Sequence, residues 1–205
     1  MKKRAISFFV ALMLLVSAVM LSSCSSDAPE LERVKDRFIY LIEESKEFNV
    51  IFFGKGLPVY KRDSTLAEEK GVYYYDEYTS YDEIMKNAGY ISIDQIKIAA
   101  EKIYSENYLS SLYESAFDGV MVGSGSAYLR FYETDSNFYQ NSYATDFDLS
   151  ERIYDYSTMQ IVDPSDSEYV NVSIDSYTVD NRKVETVYLT FVNERGNWYL
   201  DSPTY

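Results

Sequence analysis

The apolar positions of this chain change their period twice. Residues 6 to 21 form an apolar run broken only by Ser7 and Ser17. From Leu31 the apolar residues then fall three, four or seven apart: Leu31, Val34, Phe38, Leu41, Phe48 and Phe52. That spacing predicts one face of a long amphipathic helix, running through Asn49 towards Phe53, with a side that must lie against a broad apolar surface. Asp27 and Glu30 have the spacing of a capping box with Pro29 in the first turn, so the helix is expected to begin there. Gly54 and Gly56 predict its end.

The middle of the chain is harder to parse. In "GVYYYDEYTSYDE", residues 71 to 83, Val72 to Tyr75 reads as a short strand, and Ser80 to Ala88 reads as a short helix or turn. Ser92 and Gln95 repeat the capping-box spacing ahead of Ile93, Ile96, Ala99, Ala100 and Ile103. Ser105 predicts the cap of a further helix with Leu109, Leu112, Tyr113, Ala116 and Phe117 on its apolar side.

After Gly119 the period becomes two. Strands are expected over Tyr128 to Glu133, Arg152 to Val162, Tyr169 to Val179, Val184 to Val192 and Trp198 to Ser202, with a turn at Asn193 to Gly196. Trp198 alternates with Leu200 and reads as a core residue of the last strand. Helices first and hairpin-linked strands last predict an α+β fold, a curved antiparallel sheet packed on a long N-terminal helix.

Composition narrows the chemistry. The chain has 205 residues, no histidine and one cysteine. Ser-His-Asp and Cys-His catalysis, the usual zinc sites and imidazole-ligated iron are therefore excluded. No cofactor is called for. Carboxylate pairs, tyrosine hydroxyls, lysines and oxygen-ligand metal sites remain. "ATDFDLSE", residues 144 to 151, and "DPSDSE", residues 163 to 168, gather carboxylates, but neither fits an EF-hand loop, and solvated turns account for both.

The single cysteine has a specific setting. Lys2, Lys3 and Arg4 precede the apolar run, which is slightly short for a spanning helix, and Leu21, Ser22 and Ser23 lead directly into Cys24. This resembles the lipobox of bacterial lipoproteins. The resemblance implies a signal peptide over residues 1–23, a diacylglycerol on the Cys24 thiol, and a chain anchored on the extracytoplasmic face of the membrane. Two acyl chains give stable anchoring to a lipid bilayer. Residues 24–30 would then be a short tether and 31–205 a single domain, folded without disulfides.

Removing residues 1–23 takes away three cationic side chains and no acidic one. That leaves 16 Lys and Arg against 33 Asp and Glu, a formal charge of −17. Such a surface repels nucleic acid and favours cationic or neutral partners.

The ending "VETVYLTFVNERGNWYLDSPTY", residues 184 to 205, is similar to the closing hairpin of the cystatin-like, NTF2-like superfamily. That resemblance implies a helix lying across a curved sheet to make a cone. Within the superfamily, "GVYYYDEYTSYDE" and "SIDQIKIAAEKIYSENYLSSLY" resemble proteins related to an inhibitor of wall-cleaving DL-endopeptidases. The implied function is a non-catalytic binding module that binds or inhibits a cell-wall hydrolase or another envelope component. The alternative is an isomerase or dehydratase using a carboxylate and a tyrosine in the cone, for which Asp155 beside Tyr154 and Tyr156, or Asp175 near Tyr177, are the candidates. Strand periodicity puts adjacent residues on opposite faces, which leaves only Asp175 and Tyr177 able to share one. Among the 22 tyrosines, Tyr73, Tyr75, Tyr78 and Tyr81 form a candidate ligand or partner surface, with strand packing as the competing account.

Overall fold

The computed structural model describes residues 27–60, 81–122, 126–135, 137–141, 149, 151–180 and 182–205. The first helix, α1, spans Leu31–Phe53 and buries Val34, Phe38, Leu41, Ile42, Phe48, Ile51 and Phe52 along the stripe read from the sequence. Its start differs from expectation. Glu30 is the N-cap and makes no side-chain capping bond, while Pro29 lies ahead of the helix. Gly54 ends it as anticipated, its N–H returning to the carbonyls of Asn49 and Val50.

A four-stranded antiparallel sheet contains β1 (Val59–Tyr60), β2 (Tyr81–Ile84), β5 (Phe131–Glu133) and β6 (Phe138–Asn141), in the order β1-β2-β6-β5. The segment after Ser80 is thus a strand where a short helix or turn is expected. All four β2 residues are buried. A strand covered on both faces has no alternation to betray it. Two short strands, β3 (Val120–Val122) and β4 (Ser126–Tyr128), pair with each other, so the single strand expected over Tyr128 to Glu133 is split between β4 and β5.

The second four-stranded sheet is an antiparallel meander, β10-β9-β8-β7, made by β7 (Arg152–Val162), β8 (Tyr169–Thr178), β9 (Glu185–Glu194) and β10 (Asn197–Leu200). Here the period-two reading agrees with the structure to within two residues at each end. On β8 the buried set is Val170, Val172, Ile174 and Ser176. A two-residue turn joins β9 to β10. Arg195 and Gly196 both have positive φ, 55° and 87°, as a turn matched to strand twist requires, and Asn193 Oδ1 accepts from Gly196 N at 2.9 Å.

Helices α2 (Ile93–Ala100) and α3 (Glu106–Tyr113) lie between β2 and β3 in sequence, and a π-helical turn, Glu114–Asp118, extends α3. Both predicted caps are present. Ser92 accepts from Gln95 N and Ser105 from Tyr108 N, each contributing about 1 kcal/mol to its helix.

Helix α1 is the common floor of the core. Phe38 stacks on Phe191 of β9 with centroids 3.9 Å apart and meets Trp198 of β10 edge-on at 5.5 Å. Arg37 fastens the same contact through Nε to Trp198 O at 3.1 Å. Towards its C-terminus the aromatic contacts continue from Phe52 to Phe117, from Phe117 to Phe131 and from Phe131 to Phe138, which carries the core into the smaller sheet. Trp198 is partly buried against this core, in keeping with its assignment.

Candidate functional site

Two polar residues, Ser45 and Asn49, interrupt the buried face of α1 four residues apart. Both are held by Thr204, in the tail that follows β10. Ser45 Oγ donates to Ile42 O at 2.6 Å, so its lone pair takes the Thr204 hydroxyl proton at 2.6 Å. Thr204 Oγ1 in turn accepts from Asn49 Nδ2 at 2.8 Å. The tail is fixed at three further points: Tyr154 donates its hydroxyl to Thr204 O at 2.8 Å, Ser202 Oγ accepts from Thr190 N at 2.9 Å, and Asp201 accepts from the Ser105 hydroxyl. This network engages Asn49 through one bond from Nδ2 and leaves Oδ1 without a partner. Among the described residues it is the one buried side-chain polar atom without a partner, on a residue only 8 % exposed. A buried carbonyl left so costs roughly 1–3 kcal/mol.

Beside Asn49 opens a cleft of about 340 Å³. Val50, Leu149 and Tyr205 form its apolar walls, and Thr204 its inner edge. The rim carries both signs of charge, Lys46 and Arg152 with Glu47 and Glu151. Arg152 is oriented by its Nη1, which donates to Ser176 Oγ at 2.8 Å. Lys46 is 2.8 Å from Glu43, which also accepts from the Tyr156 hydroxyl. Burial alone would raise the Glu43 pKa, but its bonds to Lys46 and Tyr156 bring it below the usual carboxylate value. The cleft therefore offers a largely apolar body and a rim close to neutral.

None of the candidates taken from the sequence that lie among the described residues lines this cleft. Cys24, Leu21, Ser22 and Ser23 of the lipobox, and Tyr73, Tyr75 and Tyr78 of the tyrosine run, lie outside the described residues. Tyr81 is a buried residue of β2, donating to Leu129 O at 3.0 Å, so it is no part of an exposed surface. Asp155 faces away from Tyr154 and Tyr156, as strand periodicity demands: it is exposed, and it binds the amide and hydroxyl of Ser157. Those two bonds lower its pKa. Asp175 and Tyr177 do share a face, but it is the side of β8 opposite Ile174 and Ser176, and Asp175 accepts there from Thr186 Oγ1 at 2.6 Å. In the loop of residues 163 to 168, Asp166 binds the amides of Glu168 and Tyr169, a turn-stabilising use of its carboxylate. Among the described residues no group of three acidic side chains is placed to hold a metal ion.

Sequence reasoning missed Asn49, Thr204 and Arg152. The signal for the first was present, since Leu41, Ser45 and Asn49 share one helical row and two of them are polar. It also missed the buried carboxylates Asp82 and Glu83 on β2, where burial raises the Glu83 pKa against the opposing pull of Lys86. No family model matches this chain, and no curated protein is detectably similar to it.

The tyrosines around the site give the fold a definite alkaline limit. Burial is the largest cause of the raised pKa of Tyr104, Tyr108, Tyr113, Tyr154 and Tyr156. In the unfolded chain these phenols ionise near 10.0, whereas the folded state keeps them protonated. The stability they contribute is thus complete below that pH and lost above it. Arg130 acts in the opposite sense, because burial lowers its pKa to about 10, but it is one group against five. Tyrosinate absorbance followed with far-ultraviolet circular dichroism should show these five phenols ionising only together with loss of structure. Their ionisation in an intact fold would contradict these assignments.

Proposed function

We propose that this chain is an extracytoplasmic lipoprotein, anchored through diacylated Cys24, whose α+β domain is a non-catalytic binding module for a cell-envelope component. The single observation that carries the binding half is the cleft of about 340 Å³, with apolar walls of Val50, Leu149 and Tyr205 and a rim carrying both signs of charge. Sites of this make-up suit small ligands, which bury an apolar body and are oriented by a few polar groups. Support for anchoring comes from Lys2 to Arg4, the apolar run and Leu21 to Cys24. The cone architecture draws support from α1 packing against the β7–β10 meander, Phe38 on Phe191 and Trp198.

The isomerase or dehydratase alternative is less well supported. It needs a carboxylate and a tyrosine in an enclosed space between helix and sheet, and that space is filled by Phe38 stacked on Phe191. Its candidate carboxylates, Asp155 and Asp175, lie on the other side. A cavity of about 340 Å³ suits a wall fragment better than a protein loop. The acidic surface favours a second occupant elsewhere, a basic wall hydrolase attracted by charge.

One experiment tests both halves. Wild-type protein extracted from membranes should carry the lipid and release, on denaturation, one small molecule in near-stoichiometric amount by mass spectrometry. Cys24→Ala should lose lipid labelling, and Val50→Trp, at a half-exposed wall of the cleft, should lose the small molecule. Continued labelling of the first variant would overturn the anchor. An empty wild-type protein, or equal release from Val50→Trp, would overturn binding at the cleft.

A further inference from the structure

Resting on the binding-module reading above, we propose that the outer face of the β7–β9 meander docks a cationic polypeptide segment, one arginine of which is taken by Asp155 and Asp175 beside Tyr188. The meander buries Val172, Ile174, Leu189 and Phe191 on the face that packs against α1. The opposite face carries Asp155, Gln160, Thr186 and Tyr188, all exposed. Tyr188 is 69 % exposed although β9 lies between two other strands of the sheet. Its ring adds little to the core there and is open to a partner.

Charge says what that partner brings. Asp155 and Asp175 stand directly opposite one another across β7 and β8. Opposed residues on one face have Cβ atoms about 4.5–5.5 Å apart, and two like charges so placed destabilise the strand pair. The bonds they make are to neutral groups: Asp155 accepts from the amide and hydroxyl of Ser157, and Asp175 from Thr186 Oγ1. Arg152 is the one cationic residue on β7, β8 and β9, and it turns to the inner face to donate to Ser176. The outer face is thus anionic without a cation of its own, and a cation supplied from outside relieves the repulsion. The neighbours favour arginine. Asp175 pairs with Thr186, and Tyr188 is the next outward residue on β9, roughly 7–8 Å from Asp175 on the diagonal. A guanidinium suits both neighbours, since its planar fork binds carboxylates and its face stacks on aromatic rings. Farther along, Ser173 lies opposite Gln160 and Tyr188, and Asn171 opposite Thr190, which gives hydroxyls and amides to a peptide backbone. Three strands of ten or eleven residues make a face on the order of 30 Å long and 10 Å wide, room for one helix or extended segment.

The probe is fluorescein-labelled octa-arginine, followed by anisotropy as the full chain extracted from membranes is added. The expected result is a Kd below about 100 μM at about 0.15 M ionic strength, rising with salt. Asp155→Asn with Asp175→Asn should weaken binding about tenfold. Glu32→Gln with Asp36→Asn removes the same charge from the exposed side of α1 and should change it less than about twofold. Asparagine keeps the acceptor that Ser157 and Thr186 use, so the first double variant should unfold at the urea concentration of wild type or above it. Tyr188→Ala should weaken binding about threefold, and octa-lysine should bind less tightly than octa-arginine. No binding of octa-arginine, equal weakening by the two double variants, a lower urea midpoint for the first, or equal affinity for octa-lysine would overturn the proposal. Val50→Trp separates this face from the cleft, since it should lose the cleft's small molecule and keep octa-arginine. A loaded cleft with no peptide binding overturns the docking face alone, and an empty cleft with octa-arginine held at Asp155 and Asp175 supports it alone.

Discussion

Gly56→Ala is expected to lose about 3–5 kcal/mol of stability, a large share of what a domain of this size has. Gly56 sits at φ +74°, and a Cβ there would lie 2.0 Å from Gln140 Oε1, 2.4 Å from Cδ and 2.5 Å from Nε2. Left-handed backbone costs an alanine roughly 1–2 kcal/mol by itself. The larger part comes from Gln140, which is 1 % exposed and cannot move without breaking two bonds. Its Oε1 accepts from Leu57 N at 2.7 Å and its Nε2 donates to Lys55 O at 3.0 Å, so this one side chain ties β6 to the segment between α1 and β1. Each group left unpaired in the interior adds roughly 1–3 kcal/mol. Gly89 supplies the comparison: its φ is +90° and nothing lies within 4 Å of the added Cβ, so Gly89→Ala should lose only the backbone part. Urea unfolding of the two variants checks the claim. Equal losses would show that the Gln140 contact does not matter.

Arg130→Met should cost about 2–5 kcal/mol, because it leaves two interior carbonyls unpaired at roughly 1–3 kcal/mol each. Arg130 is 7 % exposed and donates through Nε to Ile51 O at 2.6 Å and through Nη2 to Gly54 O at 2.5 Å. These are carbonyls at the C-terminal end of α1, where the helix leaves acceptors unmatched and its dipole favours a cation. Burial lowers the Arg130 pKa to about 10, so the guanidinium is still charged at neutral pH. Methionine keeps much of the volume and removes the fork, which isolates the loss of bonding from the loss of packing. Arg130→Lys should recover less than half of the loss, since one ammonium cannot reproduce the planar geometry that reaches both carbonyls. A urea midpoint for Arg130→Met within about 1 kcal/mol of wild type would refute the role assigned to this side chain.

These two sites also show where the sequence was legible. The α1 stripe, the Ser92 and Ser105 caps, the alternation of β8 to β10 and the Asn193 to Gly196 turn are local patterns, and each is found where expected, whereas β7 changes phase at a register shift between Asp155 and Gln160. By contrast β2 and β6 are buried along their whole length, so neither alternates, and the chain around Ser80 reads as a turn because its polar residues happen to be interior. Gly56 could be read as a helix stop, but its contact with Gln140 spans 84 residues and leaves no trace in either local pattern. The candidate site is split in the same way. Asn49 and Ser45 stand out as polar residues on an apolar row, whereas Thr204 is 155 residues from Asn49 and reaches it only because β10 returns the tail to α1. The tyrosines drew attention by their number, yet the described ones nearest the cleft act mainly as walls and as donors to the backbone, Tyr154 to Thr204 being the clearest.

The central claim is that the cleft between Val50, Leu149 and Tyr205 holds a ligand. The most direct measurement is a crystal structure of the chain purified from its own membranes without stripping, with the density in the cleft examined. The account predicts a molecule other than water lying between Val50, Leu149 and Tyr205. A cleft holding only ordered water, or one filled by the protein's own side chains, would contradict it.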